Sequence, residues 1–358
     1  MKGNGKAKNA AKANLKEGGV VGANGVQIPP GHGHLYFDGT CRPSPGRGGA
    51  GGWLVFVNQR KRLATLPICF PLGHSNNPIA ECLGLIWGLY KARIEKVSDL
   101  VIFGDSDFVL GHVPGEKGEQ IEDSTLKVLC HMAETLVKKF RSVKFQKIKR
   151  EHNIRADTLA IQGVHMVEGR YPEGSYTFYF PNLLTHSVCT VDGIDVIATN
   201  DFGRPSPDGF FFIDAAYLYS MHKDKVDSLI PFGHVRRKYV SVLTMRGKPR
   251  SVLGMLGKPI EVTVEGEKKC VVRFVVVLDL PVPMHISTRH PELKNDKDLF
   301  EKRNQHADSV EEIVKKLPTR YQSHSFHNED KVKVQLPTLD NLKVGEEKED
   351  DKKKPEEK

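Results

Sequence analysis

Four acidic residues in the first half of this 358-residue chain stand where predicted strands end or predicted helices begin: Asp38, Glu81, Asp105 and Asp157. Asp38 and Asp105 follow apolar runs that are typical of buried strands. Glu81 and Asp157 lie in the first turns of segments with helical periodicity. Strand ends and helix starts at one edge of an α/β sheet converge in space, so we expect these carboxylates to form a cluster. Clustered carboxylates repel each other, and a hard cation such as Mg²⁺ relieves that repulsion.

The region around these acids, residues 34–165, is predicted to be an α/β domain with the element order βββ-α-β-α-α-β-α. Three antiparallel strands come first, and the Gly- and Pro-rich segment 39–52 is predicted to be the turn between the first two. Residues 77–92 place their apolar side chains on one face of a helix, which Asn76 or Asn77 can cap.

Composition changes along the rest of the chain. The N-terminal residues carry lysines among Gly, Asn and Ala without any apolar period, and the C-terminal residues are a mixed run of Lys, Glu and Asp. Short β-rich runs separated by turn residues fill much of the second half. We therefore divide the chain into a disordered basic tail (1–33), the α/β domain (34–165), a linker (166–187), an all-β domain (188–290), a helical segment (291–320) and a disordered charged tail (321–358).

Several classes of protein are excluded or disfavoured by simple counts. The longest apolar runs are far shorter than a membrane helix requires, and the N-terminus has no apolar core of a secretory signal. The six cysteines are scattered without a C-x-x-C pair, which argues against a disulfide framework and against a cysteine zinc site. A reducing, intracellular location in the nucleus or cytoplasm fits best, with a mitochondrial one left open. The 53 Lys and Arg against 44 Asp and Glu give a net charge of +9, which favours a polyanionic partner.

Four motifs around the acidic residues resemble those of the type 1 ribonuclease H family, in the family's order and spacing: Tyr36-Phe-Asp38-Gly39-Thr40, Asn76-Asn-Pro-Ile-Ala-Glu81, Phe103-Gly-Asp105-Ser106 and Arg150-Glu-His-Asn153-Ile-Arg-Ala-Asp157-Thr-Leu-Ala160. The resemblance covers most of residues 34–165. It implies a mixed five-stranded sheet with helices and an endonuclease that hydrolyses the RNA strand of RNA–DNA hybrids. The products would carry a 3′-hydroxyl and a 5′-phosphate.

The resemblance also implies residue roles. Two Mg²⁺ ions, or Mn²⁺ in their place, would be held by the four acids Asp38, Glu81, Asp105 and Asp157, with Glu81 beside the RNA 2′-hydroxyl. Five further residues are candidates for nucleic-acid contact: Asn77, Ser106, Lys149, Arg150 and His152. Two family features are missing, because residues 116–123 are mostly acidic where some members carry a basic protrusion, and the loop before Asp157 has no histidine upstream of His152.

The β-rich half resembles a degenerate retropepsin-type aspartic protease domain, on Phe210-Phe-Phe-Ile-Asp214-Ala-Ala216 and Arg273-Phe-Val-Val-Val-Leu-Asp-Leu-Pro281. Asp214 is followed by Ala215-Ala216 where that family has Thr-Gly, so the resemblance implies an inactive domain used for dimerisation or binding. Because such proteases are built from two copies, it also implies a homodimer. An unrelated small β-domain is the alternative.

Three other functions remain as alternatives to the hydrolysis of hybrids. The first is a nuclease fold that binds hybrid or double-stranded RNA without cutting it, although the presence of all four acids argues against that. The second is protease activity of the β domain, which Ala215-Ala216 argues against. The third is a related exonuclease or transposase, which would need a D-x-E strand that Asp38-Gly-Thr40 does not supply.

Overall fold

The structure is a computed structural model that describes the chain in segments: residues 20–21, 27–58, 60–114, 121–166, 185–200, 209–230, 243–245, 248–280, 282–294, 296 and 299–300. All of them belong to one compact unit. The predicted charged tail lies outside these segments, as do most of the predicted linker and of the helical segment. Among the residues described, no helix is both long and apolar enough to cross a membrane. The six cysteines are all buried free thiols.

Two short strands precede the first large sheet. Strands β1 (Val20–Val21) and β2 (Gln27–Ile28) pair antiparallel, and the Ile28 side chain is buried. The predicted boundary of the disordered tail at residue 33 is therefore wrong, since ordered chain already includes these strands and the next strand begins at His32. Lys- and Gly-rich composition concealed the buried side chain of Ile28.

The first large sheet has five strands: β3 (His32–Arg42), β4 (Gly46–Val57), β5 (Leu63–Ser75), β6 (Asp99–Gly104) and β7 (Ser142–Lys147). Their spatial order is β5-β4-β3-β6-β7. The three N-terminal strands are antiparallel, whereas β6 and β7 run parallel to β3. The predicted mixed five-stranded sheet is confirmed, and the end of β6 lies beside the middle of its parallel neighbour β3, where Tyr36 pairs with Phe103.

Four helices and one short 3-10 turn accompany this sheet: α1 (Asn77–Ile94), α2 (Asp107–His112), α3 (Ser124–Val137), the 3-10 turn Arg150–His152 and α4 (Ile154–Met166). Asn76 caps α1 by accepting a hydrogen bond from the Ile79 amide at 3.0 Å, as predicted. Side chains alternate between the two faces of a strand. Helix α1 packs at Gly39 of β3, and α4 packs at Gly49 and Gly51 of β4, whose partners in β3 are Thr40 and Asp38. Helices α1 and α4 therefore lie on opposite faces of the sheet.

The predicted turn over residues 39–52 is wrong. Strand β3 continues to Arg42 and β4 starts at Gly46, so the connection is only three residues long. The glycines lie inside the strands, where a Cβ at Gly49 would lie 2.1 Å from the Ala160 carbonyl oxygen. Glycine serves here for close helix–strand contact rather than for turning the chain.

The second large sheet contains nine strands in the order β11-β14-β17-β10-β18-β9-β8-β15-β16, and β12 and β13 pair separately. The strands are β8 (Thr185–Val191), β9 (Ile194–Asn200), β10 (Phe212–Asp214), β11 (Leu229–Ile230), β12 (Leu243–Met245), β13 (Lys248–Arg250), β14 (Val252–Leu256), β15 (Ile260–Val264), β16 (Lys268–Val272), β17 (Val275–Val277) and β18 (Met284–Ile286). The β-rich character is confirmed. Its predicted start at residue 188 is late, because β8 begins at Thr185 inside the predicted linker.

Two short helices were missed in this β-rich region: α5 (Ala215–Met221) and α6 (Lys223–Val226). Helix α5 starts directly after Asp214, which caps it. The two sheets touch, since the Gly73 amide of β5 donates to the Ser251 hydroxyl at 2.9 Å. Asp227, which follows α6, accepts from the Thr135 hydroxyl of α3 at 3.0 Å.

Candidate active site

Asp38 is the most enclosed of the four predicted acids, with 8% of its surface exposed. The sequence placed it at a strand end, but it lies in the middle of β3, opposite Gly51 of β4, and its Oδ1 accepts a hydrogen bond from the Gly39 amide at 2.7 Å. Burial first, and then the negative charges of Asp105, Asp157 and Glu81, raise the pKa of Asp38 to about 7 against the opposing effect of the Gly39 hydrogen bond. Asp38 therefore lies within electrostatic reach of all three other acids.

Glu81 comes from the opposite side, on the first turns of α1. A Cβ at Gly39 would lie 2.0 Å from the backbone of Ala80, so only glycine lets α1 approach β3 this closely. The Ser106 hydroxyl donates to Glu81 Oε2 at 2.6 Å. Burial raises the pKa of Glu81, the Asp105 charge adds to the rise, and the Ser106 bond and the Arg150 charge oppose it.

Asp105 directly follows β6 and is held by Asn153, a residue of the fourth motif to which the sequence alone assigned no role. Asn153 is 1% exposed. Its Nδ2 donates both to the Phe37 carbonyl oxygen and to Asp105 Oδ1, each at 2.9 Å. The Asn153 side-chain amide thus connects the backbone of β3 at Phe37 to Asp105, the acid that follows β6. In the sequence, Asn153 stands four residues before Asp157 at the start of a predicted helix. An Asn at that place is also typical of a helix cap, so the local pattern does not reveal that it binds Asp105.

Asp157 lies in the first turn of α4 and is half-buried. Its Oδ1 lies 3.2 Å from an Arg150 guanidinium nitrogen. The pairing raises the pKa of Arg150, so this exposed side chain stays positive beside the acids. Because Gly49 and Gly51 have no Cβ, α4 packs directly on β4. This packing brings Asp157 within electrostatic reach of Asp38.

The structure therefore brings the four acids together from two strands and two helices. No three of these carboxylates offer oxygens that all lie within 4.8 Å of one another, so the cluster is more open than a closed single-ion site. Oxygen donors of this kind suit Mg²⁺ or Mn²⁺. Burial first, and the charges of neighbouring acids second, raise the pKa of Asp38 and Glu81, and a bound divalent cation would favour their ionised forms. The residues fit the metal that the sequence predicted.

The five residues predicted to touch nucleic acid fall into two groups. Lys149, Arg150 and His152 are exposed around the 3-10 turn next to Asp157. Asn77 is exposed, but its Oδ1 already accepts from the Cys41 amide at 2.9 Å and so holds the end of β3. Ser106 is 8% exposed, and its hydroxyl both accepts from the Val109 amide and donates to Glu81. These bonds give Ser106 a positioning role within the protein.

Asp214, the acid of the predicted retropepsin-like motif, is fully buried. Its Oδ1 accepts from the amides of Ala216 and Tyr217 at 2.9 and 3.1 Å, and its Oδ2 accepts from the Leu280 amide at 2.7 Å. A carboxylate enclosed in this way caps helix α5 and joins it to the chain after β17. The retropepsin-like resemblance itself stays a prediction.

Comparisons with known proteins bear on the N-terminal region. Residues 36–163 match a family model described as reverse transcriptase-like. Similar solved structures include the ribonuclease H1 of Halobacterium salinarum, with 28% identity, a TM-score of 0.34, and coverage of 37% of this chain and 98% of that one. The N-terminal ribonuclease H domain of a Mycobacterium tuberculosis protein, solved as a fusion with maltose-binding protein, has 25% identity, a TM-score of 0.35, and coverage of 38% and 96%.

A further similar structure is LC11 ribonuclease H1, isolated from compost by a metagenomic approach and solved in complex with an RNA/DNA hybrid. That complex has 21% identity, a TM-score of 0.34, and coverage of 38% of this chain and 99% of that one. No curated protein matches. The family match spans nearly all of the predicted 34–165 domain, so the resemblance to ribonuclease H is confirmed for the N-terminal region.

Proposed function

We propose that this chain, whose N-terminal region is similar to ribonuclease H, is a metal-dependent endoribonuclease that hydrolyses the RNA strand of RNA–DNA hybrids. The products would be a 3′-hydroxyl and a 5′-phosphate. The observation that carries the proposal is the convergence of Asp38, Glu81, Asp105 and Asp157, with Asp38 enclosed and its pKa raised to about 7. An enclosed carboxylate with a raised pKa beside other acids is typical of a functional site.

The metal ligands in this proposal are the same four acids, holding two Mg²⁺ ions for which Mn²⁺ can substitute. When bound, such ions stabilise charge on the phosphodiester oxygens and lower the pKa of the attacking water. The remaining work falls to residues of the chain. Ser106 orients Glu81, Asn153 orients Asp105, and the Arg150 guanidinium orients Asp157.

Substrate binding in this proposal depends on exposed cations beside the acids. Lys149, Arg150 and His152 surround the 3-10 turn that leads into α4. Phosphate contacts from such residues add affinity that falls with salt and carry no base specificity. Strand discrimination would come from the 2′-hydroxyl of the RNA next to Glu81, since that group separates RNA from DNA.

The experiment is cleavage of a hybrid labelled on either strand, with Mg²⁺ or Mn²⁺, for the wild type, Asp105→Asn and Asp107→Asn. Asp107 is a matched control, because it lies two residues further on, is 74% exposed and pairs with Lys147 at 2.5 Å. We expect metal-dependent cutting of the RNA strand that Asp105→Asn abolishes and Asp107→Asn leaves unchanged. Binding of the hybrid by the wild type without any cutting would replace the proposal by the binding-module alternative.

Neither protease activity nor dimerisation is part of this proposal. The Asp214 carboxylate is occupied by three backbone amides and has no exposed surface. The homodimer expected from the retropepsin-like resemblance stays a prediction.

A further inference from the structure

Three potential metal ligands meet at one place in the second sheet, far along the chain from the acid cluster. Cys270 lies in β16 with no exposed surface, and His290 and Glu292 lie in the segment that follows β18. The thiol sulfur, an imidazole nitrogen and a carboxylate oxygen of these residues all lie within 4.8 Å of one another. Among the residues described, this is the one group of three such ligands that comes so close.

His290 and Glu292 are already in contact within this group. The buried Nδ1 of His290 lies 2.5 Å from Glu292 Oε2. Two of the three ligand atoms therefore face the same point.

The surroundings hold the imidazole in place. The ring of Phe211 packs edge to face against His290 with a centroid distance of 5.1 Å. Backbone hydrogen bonds on both sides of His290 order the turn, because its amide donates to Ser287 and its carbonyl accepts from Leu293 at 2.8 Å. The ligands are therefore presented by a strand and an ordered turn rather than by free side chains on a loop.

We propose that Cys270, His290 and Glu292 bind one Zn²⁺ ion, with the fourth tetrahedral position open to water. Zinc prefers this mixture of thiolate, imidazole and carboxylate. Bond lengths of about 2.0–2.3 Å place tetrahedral ligands roughly 3.3–3.8 Å apart. The contact between His290 Nδ1 and Glu292 Oε2 at 2.5 Å must therefore open by about 1 Å, and the other separations, all within 4.8 Å, must close by at most about 1 Å. Rotation of the Glu292 side chain, which is 45% exposed, can open that contact.

Binding must displace the proton of the Cys270 thiol. A cysteine that is not bound to a metal is mostly a thiol at neutral pH. Coordination forms the S–Zn bond, breaks the S–H bond and releases one proton to solvent. The thiolate and the Glu292 carboxylate together balance the charge of the ion. The nearby Lys268 ammonium is already paired with Asp296 at 3.3 Å.

The ion would join an edge of the sheet to a distant part of the chain. Strand β16 is the last strand on one side of the nine-stranded sheet, whereas β18 lies in the middle of the strand order. A bond from Cys270 to His290 and Glu292 thus closes a loop of about twenty residues around the edge, and cross-links of that kind stabilise the folded state. The site is independent of the proposed nuclease activity.

The test uses the full chain freed of metal by a chelator and then held in excess Mg²⁺, which occupies oxygen sites but competes poorly for thiolate and imidazole. Co²⁺ is added as a spectroscopic probe, followed by Zn²⁺. We expect a thiolate-to-cobalt charge-transfer band that saturates at one equivalent, release of one proton, and loss of the band when Zn²⁺ displaces the probe. A thermal unfolding midpoint that rises with Zn²⁺ would accompany it.

Two variants and one control make the test specific. Cys270→Ser should abolish the charge-transfer band, and Glu292→Gln should weaken binding by more than the ~10–100-fold typical of losing a supporting residue. Cys189→Ser is the matched control, because Cys189 is equally buried in the same sheet but outside the group. Glu292→Gln changes an exposed side chain and keeps the fold even if Cys270→Ser does not. No band at one equivalent, or equal binding by Glu292→Gln and the wild type, would overturn the proposal.

Discussion

Replacing Gly51 by alanine tests the idea that glycines of β4 exist to let α4 approach the sheet. An ideal Cβ at Gly51 lies 2.2 Å from the Ala156 carbonyl oxygen and 2.4 Å from the Ala160 amide nitrogen, whereas real Cβ contacts essentially never fall below 3.0 Å. Helix α4 must therefore move by about 0.8 Å, the difference between 3.0 and 2.2 Å. Overpacking costs ~1–3 kcal/mol, and the upper end applies because both obstructing atoms belong to the backbone.

The same shift reaches the proposed active site. Asp157 follows Ala156 directly, so moving this turn of α4 carries its carboxylate away from Asp38. A misplacement of ~1 Å in a catalytic arrangement can lower the rate about 100-fold. We expect Gly51→Ala to lose roughly 6–12 °C in unfolding midpoint, from ~3 kcal/mol at about 2–4 °C per kcal/mol, and to lose hybrid cleavage to a comparable ~100-fold extent.

The assay is thermal unfolding by circular dichroism together with initial rates of hybrid cleavage, for Gly51→Ala and for Gly52→Ala. Gly52 is the adjacent residue in the same strand, and the nearest neighbour of its ideal Cβ is the Tyr36 carbonyl oxygen at 3.3 Å. We expect the control to stay within ~1 kcal/mol of the wild type. If Gly51→Ala matched Gly52→Ala in both stability and rate, close packing of α4 on β4 would not be what places Asp157.

Three further predictions follow from other contacts. Asn153→Ala removes both bonds that tie Asp105 to β3, so kcat should fall ~10–100-fold while KM for the hybrid changes little; an unchanged kcat would deny Asn153 a positioning role. Asp214→Ala leaves three buried amides without an acceptor and should cost ~3 kcal/mol or more in urea unfolding, with Asp195→Ala at an exposed position as the control. The hydrogen bond from Arg141 lowers the pKa of Asp99, so their pairing stabilises the fold above the unfolded-state pKa of about 3.9 and loses that effect as pH falls further. The difference in unfolding midpoint between the wild type and Arg141→Met should accordingly be constant from pH 7 to 5 and shrink below pH ~4; a difference that grows on acidification would contradict the assigned sign.

Much of the N-terminal fold follows from local pattern. The cap Asn76 and the apolar face of 77–92 predicted α1, which the structure extends to Ile94. The strand before Asp105 was equally clear, because a short apolar run between polar turns has few alternatives. These elements depend on interactions between residues a few positions apart, and a sequence displays such interactions directly.

The sequence pattern did not predict the local structure of the glycine-rich segment in β3 and β4 or of the two alanines after Asp214. A Cβ is excluded both by a tight turn and by a helix pressed against a strand, so the run from Gly39 to Gly52 was compatible with either. Ala215-Ala216 after Asp214 was interpreted as a degenerate catalytic loop, which stays a prediction, but the helix α5 that starts there was not predicted. Each choice depends on a partner segment many residues away.

The sequence by itself determined which acids form the candidate site and on which elements they lie, because caps, periodicity and motif spacing are local. Only the tertiary structure decided how Asn153 and Ser106 hold those acids, since their hydrogen bonds join residues 48 and 25 positions apart. It also decided the group of Cys270, His290 and Glu292, which has none of the spacing that marks a cysteine metal motif. Distances between segments depend on packing of the whole chain, and that packing is what a linear pattern does not contain.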